Sequence, residues 1–285
     1  MWPVIIDFGN VSLFGKEFHL AIYSYGFMLV VAFYSCFFLL SKDLKRLGYE
    51  PKLASDIIFA AAVGGIVGSK IYYLLESLDQ VIEDPMGMIF SGSGLVFLGG
   101  LMGGTLGVTY VIRKNKLHWL SFGDIVAPLL ILGYSIGRIG CFLVGDDYGL
   151  PTHMALGMSF ENGLPPTTYS VFERVYPWVD LTGFSEGLLK VYPTQPMETV
   201  ICFLIFLYLW NKRTSITVAG TLFFTYLILA GTERFCIEFI RLNPKYIFIF
   251  SGAQVLSIFM IIIGTYFLLN PIQQEIKETE TEPSI

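Results

Sequence analysis

The stretch WLSFGDIVAPLLILGYSIGRIGCFLV, residues 119–144, is an apolar run that contains one acid, Asp124, and one base, Arg138. A hydrocarbon core about 30 Å thick needs roughly 20 apolar residues in a helix, and this run is long enough to cross it. The next residues, GDDYG at 145–149, place two aspartates where the run ends. The stretch therefore predicts a membrane-spanning helix with a cation near one end and two acids just beyond it.

The composition of the whole chain agrees with a membrane protein. Of its 285 residues, 54% are apolar and only 14% are charged, and the mean hydropathy is +0.64. This excludes an ordinary water-soluble domain, whose single core could not hide so much apolar surface. The other apolar runs are 19–40, 53–75, 91–112, 196–210, 218–240 and 246–269. We therefore predict an all-α integral membrane protein with about seven transmembrane helices.

Basic residues in the connections predict the orientation of the chain. SKDLKRLGYEPK at 41–52, RKNK at 113–116 and NKR at 211–213 follow the first, third and fifth predicted helices. Because cytoplasmic loops carry the excess of Lys and Arg, these ends are expected in the cytoplasm and the N-terminus outside.

The same orientation predicts four parts of the chain. Helices one to four occupy 1–144, and helices five to seven occupy 196–270. The long connection 145–195 is expected to form a small folded cap on the outer face, because it is too long for a plain linker. Residues 271–285 form an acidic tail that we expect to be disordered and cytoplasmic.

The cysteines give no indication of a disulfide framework or a zinc site. Cys36, Cys141, Cys202 and Cys236 all fall in apolar runs and show no CxxC spacing. We expect no metal, no cofactor and no nucleic-acid partner.

Charged residues inside the predicted helices collect in the outer half of the membrane. Each costs at least about 2.5 kcal/mol on insertion scales, so such residues face the bundle interior and mark a functional site by default. They are Lys70, Arg138, Glu198, Glu233, Arg234, Glu238 and Arg241.

Within the sixth predicted helix, Arg234, Glu238 and Arg241 are spaced i, i+4 and i+7 and so share one face. Glu238 can neutralise only one of the two arginines. The surplus cation must find Glu198, Glu233 or an anionic ligand, and guanidinium groups bind phosphate bidentately. A phospholipid head group is therefore a natural ligand. The alternative is a neutral ladder that only tethers helices.

Other features also have a purely structural interpretation. Arg138 could extend its side chain to the outer head groups. The glycines at 99, 100, 103 and 104 form two overlapping GxxxG pairs that allow tight helix packing, and they also allow a lipid to approach the backbone. Tyr25 could belong to the aromatic belt at the membrane interface.

Six motifs occur in the order and spacing of a known family. They are YSYG at 23–26, FLGGLMGG at 97–104, GDIVAP at 123–128, GRIGCFLVGDDYG at 137–149, YPTQPMET at 192–199 and ERFCIEFIR at 233–241. Together they resemble the prolipoprotein diacylglyceryl transferase family over nearly the whole chain. The resemblance implies a bacterial inner-membrane enzyme that moves a diacylglyceryl group from phosphatidylglycerol to the lipobox cysteine thiol of a prolipoprotein. The implied products are a thioether and glycerol phosphate.

The resemblance also implies roles for particular residues. The implied catalytic residues are Arg234, Glu198, Asp146 and Tyr25. The substrate-binding residues that we predict are Arg138, Glu238, Arg241, Gly99 and Gly100. Of these, Arg138 corresponds to the phosphatidylglycerol-binding arginine of the family and Glu238 to one of its motif carboxylates. The implied partners are phosphatidylglycerol, the signal peptide of a prolipoprotein with its lipobox cysteine, and membrane lipids.

Three positions depart from the pattern of the family. Leu98 stands where a histidine commonly precedes the Gly-Gly pair, Cys141 replaces an asparagine, and Tyr192 replaces a histidine. A mechanism with a histidine at position 98 as general base cannot operate in this chain.

A carboxylate with a raised pKa could take the thiol proton instead, and Glu198, Asp146 and Glu233 are equal candidates at this stage. Two other functions remain open: a relative that binds anionic phospholipid with altered or absent catalysis, and a transporter.

Overall fold

The computed structural model describes residues 1–13, 16–90, 96–245 and 249–271. Its elements are the strands β1 (Val4–Leu13) and β2 (Lys16–Tyr23), the helices α1 (Ser24–Arg46), α2 (Lys52–Glu76), α3 (Leu78–Glu83), α4 (Pro85–Phe90), α5 (Phe97–Lys114), α6 (Trp119–Val144), α7 (Tyr169–Val175), α8 (Thr194–Lys212), α9 (Thr221–Ile237), a 3-10 turn (Glu238–Ile240) and α10 (Gly252–Leu269). They form two compact units, one from 35–125 and one from 1–34 with the described part of 126–285.

The N-terminal residues form an antiparallel β-hairpin, so the prediction of an all-α protein is wrong there. β1 pairs with β2 from Val4 opposite Tyr23 to Leu13 opposite Lys16. The first helix therefore starts at Ser24 and not at residue 19. Its first N–H donates to the carbonyl of Pro3 over 2.9 Å, which ties the helix start to the hairpin. At its other end the helix continues to Arg46, beyond the apolar run.

Helices α2 and α5 pack along a seam of glycines in the unit formed by 35–125. A methyl group at Gly64 would overlap the carbonyl oxygen of Gly103, and one at Gly68 would overlap that of Gly99. A methyl group at Gly100 would lie 2.6 Å from Ser69 Oγ. The packing interpretation of the glycine motif is therefore confirmed, because a side chain at these positions would push the two helices apart.

Along the rest of the chain, one predicted helix has the observed bounds and others differ. The run 119–144 is helical throughout as α6. Helix α8 begins at Thr194, two residues before the predicted start. Helix α9 is shorter than the predicted 218–240, because Gly220 has a left-handed φ of +90° before it and the 3-10 turn follows it.

The last helix begins later than predicted. A capping box formed by Ser251 and Gln254 starts α10 at Gly252, and 246–248 of the predicted helix lie outside the described residues. So do 91–95, the predicted start of the third helix, and 272–285 of the predicted disordered tail.

The connection 145–195 folds around its own apolar core. Phe160, Phe172 and Val191 are fully buried there, and the ring of Tyr148 stacks between the two phenylalanines with centroid distances of 5.5 and 5.9 Å. Leu242, which follows α9, belongs to the same core. The core thus fixes this connection to the residues that follow α9.

Four helices of the described residues are long and apolar enough to cross a membrane: α1, α2, α6 and α10. Together with the small share of strand, they make this a mostly helical membrane protein.

Candidate active site

Glu198, near the start of α8, is the central anion of the site, with a side chain that is 0% exposed. Its Oε2 atom lies 2.8 Å from Arg138 Nε and 3.8 Å from Arg234 Nη1. Its Oε1 atom accepts a hydrogen bond of 2.9 Å from Arg241 Nη1. Three guanidinium groups from different elements thus converge on one carboxylate. Their charges offset the cost of removing this carboxylate from water.

Asp147 joins two of these arginines a second time. It accepts a hydrogen bond of 2.7 Å from Arg138 Nη1, and its other oxygen lies 2.9 Å from Arg241 Nη2. Arg138, Glu198, Arg241 and Asp147 therefore form a closed ring of alternating charges. The two anions differ in solvent access, because the Asp147 side chain is 46% exposed.

Arg234 is paired mainly with Glu238, at 3.0 Å between Nη2 and Oε2. The other carboxylate oxygen of Glu238 accepts hydrogen bonds of 2.7 Å from Asn243 Nδ2 and from Ser251 Oγ. Although α9 ends before Glu238, the 3-10 turn keeps it within reach of both Arg234 and Arg241. We call Arg138, Arg234, Arg241, Asp147, Glu198 and Glu238 the charge cluster. It has three cations and three anions.

Tyr134 is a site residue that the sequence interpretation missed. Its hydroxyl donates to Glu198 Oε2 and accepts a hydrogen bond of 2.9 Å from Arg138 Nη2. The Arg138 guanidinium also lies over the Tyr134 ring, 4.7 Å from its centroid. The i, i+4 spacing of Tyr134 and Arg138 on a predicted helix was the signal that could have found it.

The turn that carries the two aspartates is held by the first residues of α8. Gln195 Nε2 donates to the carbonyl of Asp146 over 2.5 Å, and Thr194 Oγ1 donates to that of Asp147 over 2.8 Å. Gly145 has a φ of +76°, and Asp147 has a φ of +57°, which is uncommon for a residue with a side chain. Thr194 and Gln195 of the YPTQPMET motif therefore position this turn, while Glu198 of the same motif binds the arginines.

Asp146 and Asp147 have opposite pKa shifts. Burial raises the pKa of Asp146 to about 6, and the charge of Asp147 adds to the increase. Burial also opposes the ionisation of Asp147, but Arg241 and Arg138 lower its pKa to about 2. At neutral pH, Asp147 is a permanent anion of the ring, whereas Asp146 is a carboxylate that titrates near pH 6.

Several buried polar atoms beside or within the charge cluster have no hydrogen-bond partner among the described residues. They include the donors Arg234 Nη1 and Arg241 Nε and the acceptors Glu233 Oε1, Glu238 Oε2 and Asp146 Oδ1. Leaving such a group unsatisfied costs about 1–3 kcal/mol. A ligand with both phosphate oxygens and hydroxyl groups has the complementary donors and acceptors.

The remaining predicted site residues are placed as follows. Tyr25 packs beside Gly140 on α6, where a methyl group added to the glycine would lie 3.2 Å from its ring. Gly99, Gly100 and Leu98 belong to the unit 35–125, in which both glycines face α2. The predicted role of these two glycines in substrate binding therefore stays a prediction. Among the described residues, no group of three or more His, Cys, Asp or Glu side chains could hold a metal ion.

Comparison with known proteins gives a consistent result. The sequence profile of a family described as "Prolipoprotein diacylglyceryl transferase" matches residues 13–270. A phosphatidylglycerol–prolipoprotein diacylglyceryl transferase of Clostridium tetani is 31% identical, over 93% of this chain and 96% of that protein. The enzyme numbered 2 of Clostridium perfringens is 32% identical, over 90% and 93%. One from Shewanella sp. strain ANA-3 is 30% identical, over 94% and 95%.

Proposed function

Because the chain belongs to the prolipoprotein diacylglyceryl transferase family, we propose that it transfers the diacylglyceryl group of phosphatidylglycerol to the lipobox cysteine of a prolipoprotein. The observation that carries this proposal is the buried charge cluster beside unsatisfied donors and acceptors. The head group of phosphatidylglycerol supplies the matching chemistry, since its phosphate oxygens accept hydrogen bonds and its glycerol hydroxyls donate them.

The proposal includes a location in the bacterial inner membrane with seven spans and an outer cap. Besides the four most apolar helices, α5, α8 and α9 have 18, 19 and 17 residues. At about 1.5 Å per residue, helices of this length reach across most of a hydrocarbon core. With the basic connections in the cytoplasm, the charge cluster and the segment 145–195 are on the outer side, where exported prolipoproteins arrive.

Arg234 is the arginine best suited to bind the lipid phosphate directly. Its side chain is 23% exposed, and Nη1 has no hydrogen-bond partner among the described residues. Arg138 already donates through Nε, Nη1 and Nη2 to Glu198, Asp147 and Tyr134. Arg138 therefore reaches a phosphate only after an exchange of partners, whereas Arg234 has a donor that is not yet hydrogen-bonded within the described residues. This supports Arg234 as the residue that stabilises the departing phosphate.

In the reaction, the thiol sulfur attacks the carbon of the diacylglycerol part that is bonded to the phosphate oxygen. The new S–C bond forms as this C–O bond breaks, and the electron pair of the C–O bond leaves with the phosphate oxygen. The thiol proton goes first to a base and finally to the glycerol phosphate product. Arginines fixed around the phosphate lower the barrier, because they stabilise charge that develops in the transition state.

Asp146 is the carboxylate best suited to take the thiol proton. Glu198 is a poor base, because both of its oxygens are bound by cations. Asp146 has an oxygen without a hydrogen-bond partner in the described residues, and its pKa of about 6 is suited to proton transfer near neutral pH. Glu233 also has an unpartnered oxygen, but Asp146 lies on a turn outside the predicted spans, where an exported peptide arrives.

The test uses purified protein in phosphatidylglycerol vesicles with a synthetic lipobox peptide. We expect the parent to form the thioether and Glu198→Gln to lose it, because the arginines then lack their shared anion. Arg213→Gln is the matched control, since Arg213 stacks on Trp210 at 3.6 Å and lies outside the charge cluster. A parent chain that neither modifies the peptide nor restores lipoprotein modification in cells depleted of their own transferase would contradict the proposal.

A further inference from the structure

Asp147 is the more exposed of the two anions that bridge Arg138 and Arg241. We propose that Asp147 is an exchangeable counter-ion: its carboxylate occupies a phosphate-binding position between Arg138 and Arg241, the substrate phosphate displaces it, and it displaces the product in turn. This inference rests on the proposed function and adds to it a residue that controls lipid binding and product release.

The first argument is the difference between the two anions of the ring. Glu198 is fully buried, so no solvent would hydrate its carboxylate if it left the arginines. Asp147 binds the same two arginines through different nitrogen atoms and is 46% exposed. Solvent screens the exposed ion pairs and hydrates the carboxylate once it is released. Asp147 is therefore the anion that can leave the ring.

The second argument is the way in which Asp147 is attached. Its backbone carbonyl is fixed by Thr194 Oγ1, and the neighbouring carbonyl of Asp146 is fixed by Gln195. The turn can therefore stay in place while the Asp147 side chain rotates away. Exchange needs a side-chain rotation, which takes picoseconds to nanoseconds in exposed residues, and no movement of a helix.

The third argument is chemical equivalence. Asp147 presents one oxygen to Arg138 and the other to Arg241, at 2.7 and 2.9 Å. A phosphate mono- or diester also presents two oxygens that can each accept from a guanidinium group. Because Arg241 and Arg138 lower the pKa of Asp147 to about 2, it stays an anion at every physiological pH. A phosphate therefore competes with a charged group and not with a neutral one.

Competition of this kind has a defined cost and a defined benefit. Only molecules in which Asp147 has left the arginines can bind a phosphate at this position. The apparent affinity is therefore the intrinsic affinity multiplied by the fraction of such molecules. The same carboxylate helps to expel glycerol phosphate, which would otherwise stay bound to two cations. Removing the charge of Asp147 should therefore tighten the binding of phosphates and should not increase the rate of turnover.

The experiment compares the parent chain with Asp147→Asn and Asp147→Gly in detergent and in vesicles. Asparagine keeps the shape of the side chain and tolerates a φ of +57°, and glycine adopts this φ without strain, so at least one variant keeps the turn. Asp180→Asn is the matched control, because Asp180 lies in the same segment and its side chain accepts a hydrogen bond from the backbone of Thr182.

Two probes distinguish a free phosphate from a lipid head group. Inorganic phosphate is titrated by thermal shift, and phosphatidylglycerol in phosphatidylcholine vesicles is titrated in the transfer assay. We expect the apparent Kd for inorganic phosphate and the KM for phosphatidylglycerol each to fall about tenfold in Asp147→Asn, which corresponds to about 1.4 kcal/mol. We expect kcat to stay equal or to fall. The Asp180→Asn control changes the net charge by the same amount, so it shows how much of any effect comes from net charge alone.

The outcomes separate this inference from the proposed function. An unchanged or weaker phosphate affinity in both Asp147 variants, or an increased KM, would show that Asp147 is only a tie that holds the arginines. The parent chain could lack transferase activity while its Asp147 variants still bind inorganic phosphate more tightly than the parent does. That result would refute the proposed function and would support the exchangeable counter-ion.

Discussion

At the scale of single residues, the arginines of the charge cluster differ in what they can still bind. Arg138 and Arg241 are each held by both Glu198 and Asp147, whereas Arg234 has Glu238 at 3.0 Å and Glu198 at 3.8 Å. An arginine with free donors can follow charge onto a departing phosphate without first breaking its own ion pairs. The roles of Arg234 and Arg138 should therefore separate in a kinetic experiment.

We expect Arg234→Gln to insert and fold but to lose transfer by at least about 100-fold, since removing one charge-stabilising donor costs about 2.7–4 kcal/mol of barrier. Stability should also fall, because Glu238 loses its nearest cation. Adding Glu238→Gln should restore stability without restoring activity. Thermal unfolding and thioether formation are measured for the parent, both single variants and the double variant. Recovery of transfer in the double variant would show that this pair is only a tether.

The pH dependence should report the pKa of Asp146. As a general base it works only when it is deprotonated, and burial raises its pKa to about 6. The value of kcat/KM should therefore rise with pH up to about 6 and then level off, with a tenfold loss per unit below it. Asp146→Asn should lower the rate by about 10²–10⁴ and remove this limb. An acidic limb that survives in Asp146→Asn would assign the base to another group, and Glu233 is the first alternative.

At the scale of elements, the glycine seam shows how closely two helices approach. Gly64 and Gly68 of α2 face Gly103 and Gly99 of α5, and a methyl group at any of these positions would overlap backbone or side-chain atoms of the other helix. The two helices are in contact through their backbones, so their packing depends on the absence of side chains at four positions.

Neighbouring glycines of α2 provide a matched test of this seam. Gly64→Ala should destabilise the protein by about 1–3 kcal/mol, because the new methyl group meets the Gly103 carbonyl. Gly65→Ala should be neutral or slightly stabilising, since its nearest neighbour, Gly100 O, is at 3.8 Å and alanine favours the helix. Thermal unfolding of both variants in the same detergent checks this. Equal effects of the two substitutions would show that α2 and α5 are not held at this distance.

The bounds of an element could be predicted where the length of an apolar run decides them. They could not be predicted where hydrogen bonds between backbone segments decide them. The span 119–144 is helical over its whole predicted length although Pro128 and four glycines lie within it, and it ends before Gly145, which has a φ of +76°. The hairpin of β1 and β2 was missed because its apolar residues gave no clear alternation, and its strands stabilise each other by hydrogen bonds that composition does not reveal.

Within the site, the sequence predicted the charged residues better than their pairing. Glu198, Arg234, Glu238 and Arg241 come together as expected, although Arg241 does not continue a helical stripe. Its backbone is extended and pairs with Gly149, so the i+7 spacing was not the cause of its position. Such a pairing joins distant parts of the chain and cannot be read from local periodicity.

At the scale of the whole molecule, the segment 145–195 is joined by hydrogen bonds to the residues around Arg241. Gly149 bridges to Arg241, Leu150 N–H donates to the carbonyl of Ile240 over 2.8 Å, and Trp178 Nε1 donates to that of Leu242 over 2.9 Å. The folded segment therefore sets the position of Arg241. A change in the core of this segment should consequently affect the charge cluster.

The proposed orientation predicts which loops are accessible from outside the cell. A cysteine introduced as Asp180→Cys should react with a membrane-impermeant maleimide in intact cells, and one introduced as Lys45→Cys should react only after the cells are permeabilised. The parent chain, with its four native cysteines, gives the background. The opposite labelling pattern would invert the topology and would place the charge cluster on the cytoplasmic side.

The ring of alternating charges also bears on how the protein is made. A ribosome delivers α6 with Arg138 to the membrane before Glu198 and Arg241 have been synthesised, and an isolated arginine there costs at least about 2.5 kcal/mol. Asp147 follows only nine residues later and accepts a hydrogen bond from Arg138 in the folded protein. At about 5–20 residues per second, several seconds pass before α8 arrives with Glu198. We expect Asp147 to pair with Arg138 during this interval, so its loss should lower the yield of inserted protein.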